Sequence, residues 1–253
     1  MERPQTRHLD CDGCFNVRDL GGLRTVDGRR TRWGAVVRGD SLGCLSARGW
    51  EQLEAHGVRT VVDLRNEDEW DEDAAPRPPS IKTIRIPLDE TDDHEFWDDW
   101  ANGPQFATPL YYGPHLHRFP AKSAEVIAAI AQARPGGVAF HCATGRDRSG
   151  QIAILTLTLA GVAGEEIVAD YLLSYERLPA LYEARGEEDQ SPVLQAFLRD
   201  RGTSAATEIH RLLEVDLEAI LSGGGLEERE IDALRARLLG APRASPTGRR
   251  FAV

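Results

Sequence analysis

The segment His141-Cys142-Ala143-Thr144-Gly145-Arg146-Asp147-Arg148-Ser149-Gly150 joins two apolar stretches of this 253-residue chain. Val138-Ala139-Phe140 precedes it and is typical of a short buried strand, and residues 151–160 follow it and are typical of a buried helix. A strand, a tight loop and a helix N-terminus in this order direct several backbone N–H groups at one point, where the helix dipole also attracts an anion. The segment therefore predicts an anion-binding loop at the end of a strand.

Cys142 and Arg148 enclose five residues of this loop, a spacing that suits attack of a sulfur nucleophile on a bound phosphoryl group. Only the thiolate is a good nucleophile, and the inward N–H groups, the helix start and Arg148 all favour it. We predict that Cys142 forms a cysteinyl-phosphate and that the planar fork of Arg148 binds two phosphate oxygens. Gly145 permits the tight turn, and Ser149 is expected to hydrogen-bond the sulfur. The loop residues expected to contact the phosphate are Ala143, Thr144, Gly145, Arg146 and Ser149.

Two motifs upstream extend the pattern: Phe15-Asn16-Val17-Arg18-Asp19-Leu20-Gly21-Gly22 and Val61-Val62-Asp63-Leu64-Arg65. Together with the loop, and with Asp170-Tyr171-Leu172-Leu173-Ser174 after it, they resemble the atypical bacterial protein-tyrosine phosphatases. The likeness extends over residues 10–240 or so. It implies a cysteine-dependent phosphatase fold, no metal or other cofactor, and phosphotyrosine as the first-guess substrate, with phosphoserine, phosphothreonine and phosphoinositides accepted by some relatives. Relatives often carry Lys-Asp where this chain has Arg146-Asp147, which keeps the charge but changes the geometry, so a preference for inositol lipids is left open.

A leaving phenolate or alkoxide needs a proton, so a general acid must lie near the loop. Asp147 is the first choice because it lies in the loop itself, and the resembled family has an aspartate at the same position. Asp89 is the alternative because it follows a predicted strand, and ordinary tyrosine phosphatases take their acid from such a loop. No Trp-Pro-Asp sequence is present to decide between them.

Several residues near the loop are open to both a structural and a substrate-binding interpretation. Asp63 and Arg65 lie at the end of a predicted strand and are candidate substrate-binding residues. Arg18 and Asp19 are expected to pair or hydrogen-bond so as to shape the floor beside the loop. His141 is expected to orient the loop through hydrogen bonds.

Composition narrows the classes of function. The net charge of −11 argues against a general nucleic-acid or anionic-membrane surface, and no signal core or membrane-length apolar run occurs. The four cysteines do not form a disulfide framework, so we expect a cytoplasmic protein. Cys11-x-x-Cys14 lacks a second pair at metal-site spacing, and Cys44 does not complete one, so no metal site is predicted.

The predicted fold is α/β, with a mostly parallel central sheet flanked by helices and the loop at the carboxyl end of a strand. Strands are expected at 58–64 and 81–87, a hairpin around Asp27-Gly28, and a helix from the N-cap Ser46 to Ala55. Residues 92–100 are expected to form a surface loop with Trp packing inward, and the alternative is that they form one wall of the substrate cleft. One domain, 1–253, is predicted, with a core of about 10–177, a helical lid and C-terminal helices over about 178–240, and a flexible tail at 241–253.

These observations predict a protein-tyrosine phosphatase, with dual specificity left open. A phosphatase of a small phosphometabolite or a phosphoinositide is the alternative, and a phosphate-binding pseudophosphatase is the non-enzyme alternative. A sulfurtransferase fits less well because such enzymes commonly use a shorter loop. The expected partner is a phosphotyrosine protein or a small phosphomonoester, and the oligomeric state is left open.

Overall fold

The computed structural model describes residues 6–240, and the predicted tail at 241–253 lies outside them. Its centre is a five-stranded sheet with the strand order β1-β2-β5-β3-β4. Only β1 runs antiparallel to its neighbour, and the other three pairings are parallel, so the predicted mostly parallel α/β sheet is confirmed. The strands are β1 (Arg18–Asp19), β2 (Val36–Gly39), β3 (Val58–Asp63), β4 (Lys82–Arg85) and β5 (Gly137–His141).

Helices surround this sheet, and five of those in the described part of the chain follow one another from Gly164 onward. The first five are α1 (Ala47–Ala55), α2 (His94–Trp100), α3 (Tyr112–Arg118), α4 (Pro120–Gln132) and α5 (Arg148–Leu159). The others are α6 (Gly164–Arg185), α7 (Ser191–Asp200), α8 (Ala205–Leu213), α9 (Leu217–Gly223) and α10 (Glu228–Leu239). The predicted cap of α1 is present, since the Ser46 side chain accepts a hydrogen bond from the Gly49 N–H.

Successive side chains of a strand point to opposite sides of a sheet, and the central strands β2, β3 and β5 are buried almost throughout, so both of their faces are covered. Val138 and Phe140 of β5 join a large apolar cluster with residues of α4, α5 and the helices from α6 to α10. Ala139, between them, joins a second cluster with Trp50 and Leu53 of α1. The near-continuous apolar run of β5 is therefore what a strand covered on both faces requires.

Three stretches differ from their sequence prediction or from its boundaries. Residues 94–100 form a helix where a surface loop is predicted, because Asp93 caps it by accepting from the Phe96 N–H and its aromatic side chains pack inward. The predicted hairpin around Asp27-Gly28 forms, with hydrogen bonds from Thr25 N to Arg29 O and from Thr31 N to Leu23 O, but its one bridge, Arg24–Arg30, belongs to none of the five sheet strands. The segment predicted as the start of a lid, at Leu178, lies inside α6.

Within residues 6–240 no helix combines the length and the apolar character that crossing a bilayer would require.

Candidate active site

The loop predicted to bind an anion lies between the end of β5 at His141 and the start of α5 at Arg148. His141 pairs in register with Gly39 of β2 and Asp63 of β3, the last residues of those strands. The loop therefore lies at the carboxyl ends of the three parallel strands β2, β5 and β3. Cys142 begins the loop and is 2% exposed. Its Sγ lies 3.1 Å from the Ser149 Oγ, and either atom can donate. The predicted contact between Ser149 and the sulfur is therefore present.

The loop backbone is held from outside by its carbonyl groups. Three successive carbonyls of the loop accept hydrogen bonds from neighbouring segments. The Ala143 carbonyl accepts from Ser41 N at 3.2 Å and from Arg185 Nη2 at 3.1 Å. The Thr144 carbonyl accepts from Asn16 Nδ2 at 3.0 Å, and the Gly145 carbonyl accepts from Arg38 Nη2 at 2.7 Å. No hydrogen bond within residues 6–240 uses the N–H groups of residues 143–146. These donors remain available for an anion, which is how a nest of backbone N–H groups binds phosphate.

Gly145 is required by the loop geometry. Its φ of 77° lies in the left-handed region, and a Cβ there would stand 2.6 Å from the Asp40 backbone nitrogen. The loop can therefore pack against the end of β2 only with glycine at this position. The Asp40 carboxylate in turn accepts from the Phe15 and Asn16 N–H groups, so it fixes the segment whose side-chain amide holds Thr144.

A buried carboxylate, Asp170 of α6, organises the cations beneath the loop. Its oxygens accept from Arg18 Nε at 3.1 Å and from Arg38 Nη1 at 2.9 Å, and Arg7 also pairs with it. Burial alone would raise the pKa of Asp170, but Arg18, Arg38 and Arg7 lower it below its usual range. Burial, and then the neighbouring Arg38 charge, lower the pKa of Arg18 to about 10.

This cluster explains the first upstream motif and corrects one expectation about it. Arg18 pairs with Asp170, whereas Asp19 accepts from the Gly21 and Gly34 N–H groups and contacts His56 Nε2 at 2.6 Å. Arg18 and Asp19 do not pair with each other, because consecutive residues of a strand point to opposite faces. The prediction that Arg18 shapes the floor beside the loop agrees with its contacts to Asp170.

Arg148 lies at the first turn of α5 between two carboxylates. Its Nη1 and Nη2 bind Glu69 in a two-pronged arrangement, with 2.6 Å for the Nη2 contact, and its Nε lies 3.5 Å from Asp89 Oδ2. Burial would lower the pKa of the Arg148 guanidinium, but the Glu69 hydrogen bond and electrostatic interactions with Cys142 and Asp89 raise it above its usual range. Sequence reasoning missed Glu69, since a single glutamate in an acidic stretch carries no spacing signal.

Asp147 and Arg146 pair within the loop. The Arg146 Nε and Nη2 each lie 3.2 Å from an Asp147 oxygen, and the Tyr112 hydroxyl donates to Asp147 Oδ1 at 3.4 Å. Arg146 is buried, and its guanidinium carbon lies 5.9 Å from the ring centre of Tyr175. The Asp147 side chain is 20% exposed, against 4% for Asp89. Of the two candidate acids, Asp147 is therefore the more open to solvent.

Asp63 and Arg65 are paired with each other at the end of β3. Arg65 donates through Nε at 3.0 Å and Nη2 at 2.9 Å to the Asp63 carboxylate, and its Nη1 donates to Ser41 Oγ and the Glu69 carbonyl. Ser41 also donates its N–H to the loop. These contacts brace the loop from behind; whether Asp63 or Arg65 also touches substrate stays a prediction.

His141 is fully buried at the start of the loop. Its Nδ1 accepts from the Leu42 N–H at 3.4 Å, and its Nε2 lies 3.6 Å from Asp63 Oδ1. Burial lowers the pKa of His141 to about 4, and nearby Asp63 only partly opposes this. The ring is therefore neutral at physiological pH, which suits the predicted orienting contact better than proton transfer.

The remaining cysteines lie apart from the loop chemistry. Burial raises the pKa of Cys11 to about 12 and that of Cys14 well above its usual range, so both thiols are protonated at neutral pH. The Cys14 thiol donates to the Ser41 carbonyl at 3.3 Å. Within residues 6–240, no group of three or more His, Cys, Asp or Glu side chains is arranged to hold a metal ion.

Comparison with known proteins places this site in a family. The family model described as the tyrosine phosphatase family matches residues 9–240. A putative tyrosine-protein phosphatase of Cupriavidus necator is 33% identical over 180 residues, which are 68% of this chain and 65% of that protein. The chain thus spans a little under two thirds of that relative. A tyrosine-protein phosphatase of Nostoc commune is 31% identical over 81% of this chain and 74% of its own length. The triple specificity protein phosphatase PtpB of Mycobacterium tuberculosis is 26% identical over 90% of this chain and 98% of its own length.

Proposed function

This chain belongs to the tyrosine phosphatase family, and on that premise we propose that it hydrolyses phosphotyrosine in proteins through a cysteinyl-phosphate on Cys142. One observation carries the proposal. Cys142 lies between the carboxyl end of β5 and the N-terminus of α5, in a loop whose carbonyls are bonded outward and whose N–H groups are left for an anion. Such a loop binds a phosphate with its phosphorus facing the sulfur.

In the first step the Cys142 thiolate attacks phosphorus and the bond from phosphorus to the substrate oxygen breaks. Asp147 gives its proton to that departing oxygen, so the alcohol or phenol leaves neutral. The loop N–H groups and Arg148 bind the three remaining oxygens, whose charge spreads as the transition state forms. Arg148 reaches them by sharing or exchanging its contact with the Glu69 carboxylate.

In the second step water attacks the cysteinyl-phosphate and releases inorganic phosphate. Asp147, now a carboxylate, accepts the proton of that water, which returns it to the acid form. The Ser149 hydroxyl, 3.1 Å from the sulfur, donates a hydrogen bond to the departing thiolate. The enzyme ends as it began, with no metal, oxidant or other co-reactant consumed.

Exposure supports Asp147 as the acid. Its side chain is the more open of the two candidates, and it occupies the residue before Arg148 at the N-cap of α5. Both candidates have protein partners, since Asp89 faces Arg148 and His115 and both oxygens of Asp147 contact Arg146, so exposure and position in the loop are what separate them. An acid must meet the leaving oxygen within hydrogen-bond reach, which Asp147 can do from the loop itself.

Cys142→Ser tests the nucleophile. It should abolish hydrolysis of aryl phosphates and phosphotyrosine peptides while leaving phosphate binding largely intact, because the loop N–H groups and Arg148 remain. Turnover is measured by phosphate release and binding by phosphorus NMR titration. Turnover near that of the parent enzyme would reject the nucleophile assignment.

Asp147→Asn tests the acid. It should slow aryl phosphates with poor leaving groups far more than those whose phenolate leaves easily, and should flatten the basic limb of the pH–rate profile. Asp89→Asn is the matched comparison and should lower the rate of hydrolysis of all these aryl phosphates by a similar factor. The reverse pattern would exchange the two roles.

The range of substrates is the open part of the proposal. The names of the relatives include both tyrosine-protein phosphatase and triple specificity protein phosphatase, which supports dual specificity as a candidate property here. Profiling the purified protein on phosphotyrosine, phosphoserine and phosphothreonine peptides, inositol lipids and small phosphometabolites separates these classes. The proposal of a protein-tyrosine phosphatase requires the highest kcat/KM on phosphotyrosine peptides.

A further inference from the structure

A buried polar chain leads away from Arg148 and has no part in the proposed steps. Arg148 Nε lies 3.5 Å from Asp89 Oδ2, Asp89 Oδ1 lies 3.5 Å from His115 Nε2, and His115 Nδ1 lies 3.0 Å from Gln151 Nε2. The side chains of Asp89 and His115 are 4% and 0% exposed. Arg148 and Gln151 both belong to α5, so the chain starts and ends on the helix that carries the phosphate-binding arginine.

The chemistry of the groups fixes the direction of the hydrogens. A carboxylate can only accept, so a favourable contact requires the hydrogen on His115 Nε2. In a neutral ring Nδ1 then carries the lone pair, and it accepts from the Gln151 amide. Gln151 therefore selects the tautomer that presents an N–H to Asp89.

The surroundings make this contact costly to lose. His115 lies among aromatic rings, with centroid distances of 5.1 to 6.0 Å to Phe96, Trp97, Tyr111 and Phe119. Asp89 Oδ1 and His115 Nε2 contact each other at 3.5 Å without forming a hydrogen bond, and neither atom has a hydrogen-bond partner in the part of the chain described. A buried carboxylate oxygen without a donor is expensive, so the facing N–H holds Asp89 in this orientation.

We propose that His115 is a positioning residue for phosphate binding, acting through Asp89 on Arg148. His115 turns the Asp89 carboxylate, and Asp89 holds the Nε side of the guanidinium while Glu69 contacts its other two nitrogens. A fork that is fixed on one side meets the phosphate with less loss of side-chain freedom. The inference rests on the proposed function, since it takes Arg148 to be a phosphate ligand.

The test uses inorganic phosphate and the full chain carrying Cys142→Ser, so that turnover plays no part. In that background, His115→Phe keeps a ring but removes the donor, and phosphate affinity should fall about tenfold, close to 1.4 kcal/mol. His115→Gln, whose amide nitrogen can occupy the Nε2 position, should restore affinity to within about threefold of the parent. If His115→Phe does not fold, His115→Asn replaces it, because its shorter amide stays polar but does not reach Asp89.

Thr156→Val is the matched control. Thr156 is a buried residue of α5 whose hydroxyl hydrogen-bonds to nothing among the described residues, and it stands outside the Arg148 chain. Replacing this hydroxyl with a methyl group perturbs the same helix with little change in side-chain shape, so phosphate affinity should stay the same. An equal fall in the Thr156→Val protein would show that His115→Phe acts through general loosening of α5, and would overturn the proposal.

A double-mutant cycle tests the route through Asp89. Asp89→Asn alone should weaken phosphate binding, and adding His115→Phe should cause no more than about a twofold further loss. Independent, multiplying losses would overturn the proposal, as would phosphate affinity that His115→Phe leaves unchanged. Phosphate binding that follows this pattern, in a protein whose Cys142 form releases no phosphate from any ester, would instead reject the proposed function and keep the positioning role.

Discussion

Asp170→Asn tests the claim that one buried carboxylate supports the Cys142-to-Arg148 loop. Asp170 is 1% exposed and binds Arg18 and Arg38, which are 3% and 0% exposed. The substitution removes the negative charge and leaves two buried guanidinium groups facing a neutral amide. Removing one partner of a buried ion pair costs about 3–5 kcal/mol, because the remaining charge stays desolvated.

The expected loss is measurable by two independent methods. Urea unfolding followed by circular dichroism should show stability lower by about 3–5 kcal/mol, and thermal unfolding should show a Tm lower by about 6–20 °C. kcat/KM should also fall when it is measured at temperatures well below the new Tm. The reason is that Arg38, whose Nη2 donates to the Gly145 carbonyl, loses its contact with the Asp170 carboxylate. The control is Glu218→Gln in an exposed pair with Arg235, which should cost under about 1 kcal/mol.

The effect depends on pH with a definite sign. The folded-state pKa of Asp170 lies below that of an aspartate in the unfolded chain, about 3.9. Its contribution to stability is therefore complete above about pH 4 and is lost as the pH falls toward the folded-state pKa. The difference between the parent and Asp170→Asn proteins should shrink below pH 4. A loss smaller than about 1 kcal/mol at pH 7, or a difference that grows in acid, would refute the reasoning.

Three further outcomes are expected. Between pH 7 and pH 4.5 the parent should lose about 2–3 kcal/mol of stability because of His141. This histidine takes up a proton in the unfolded chain, but in the folded protein burial holds its pKa at about 4 and keeps it neutral. Urea unfolding of His141→Asn should therefore show a smaller loss of stability over the same pH range. Gly145→Ala should lower stability by about 1–3 kcal/mol and kcat/KM more than tenfold, whereas Gly161→Ala, at a similar φ of 72° but with open space, should leave kcat/KM unchanged. Exhaustive chelation should leave the rate of phosphate release unchanged, and vanadate should inhibit it by mimicking five-coordinate phosphorus; a rate that depends on added metal would contradict the mechanism.

Local sequence determined the parts of this protein that lie close together along the chain. The apolar strand, the Cys142-to-Arg148 loop and the apolar helix are contiguous, so their order alone predicts an anion site at a strand end. The capped α1 and the helices after Gly164 are also local features, since the N-cap contact and the helical period extend over only a few residues. The resemblance to bacterial tyrosine phosphatases, and with it the phosphatase class, is confirmed at the level of the family.

The surroundings of the loop were decided by tertiary structure. Arg38 and Asp170 are 132 residues apart, and Arg148 and Glu69 are 79 apart, so no spacing rule connects them. Each is a single charged residue in a chain with 71 Asp, Glu, Lys and Arg residues, and the sequence does not indicate which of these residues pair with one another. The helix at 94–100 was missed for a similar reason. Its acidic residues are typical of a surface loop, whereas its aromatic side chains pack against a core that is assembled from distant segments. The proposed nucleophile, Cys142, and the proposed phosphate ligand, Arg148, lie in one contiguous segment and can be predicted from the sequence, whereas the groups that orient them become neighbours only when the sheet and α6 pack together.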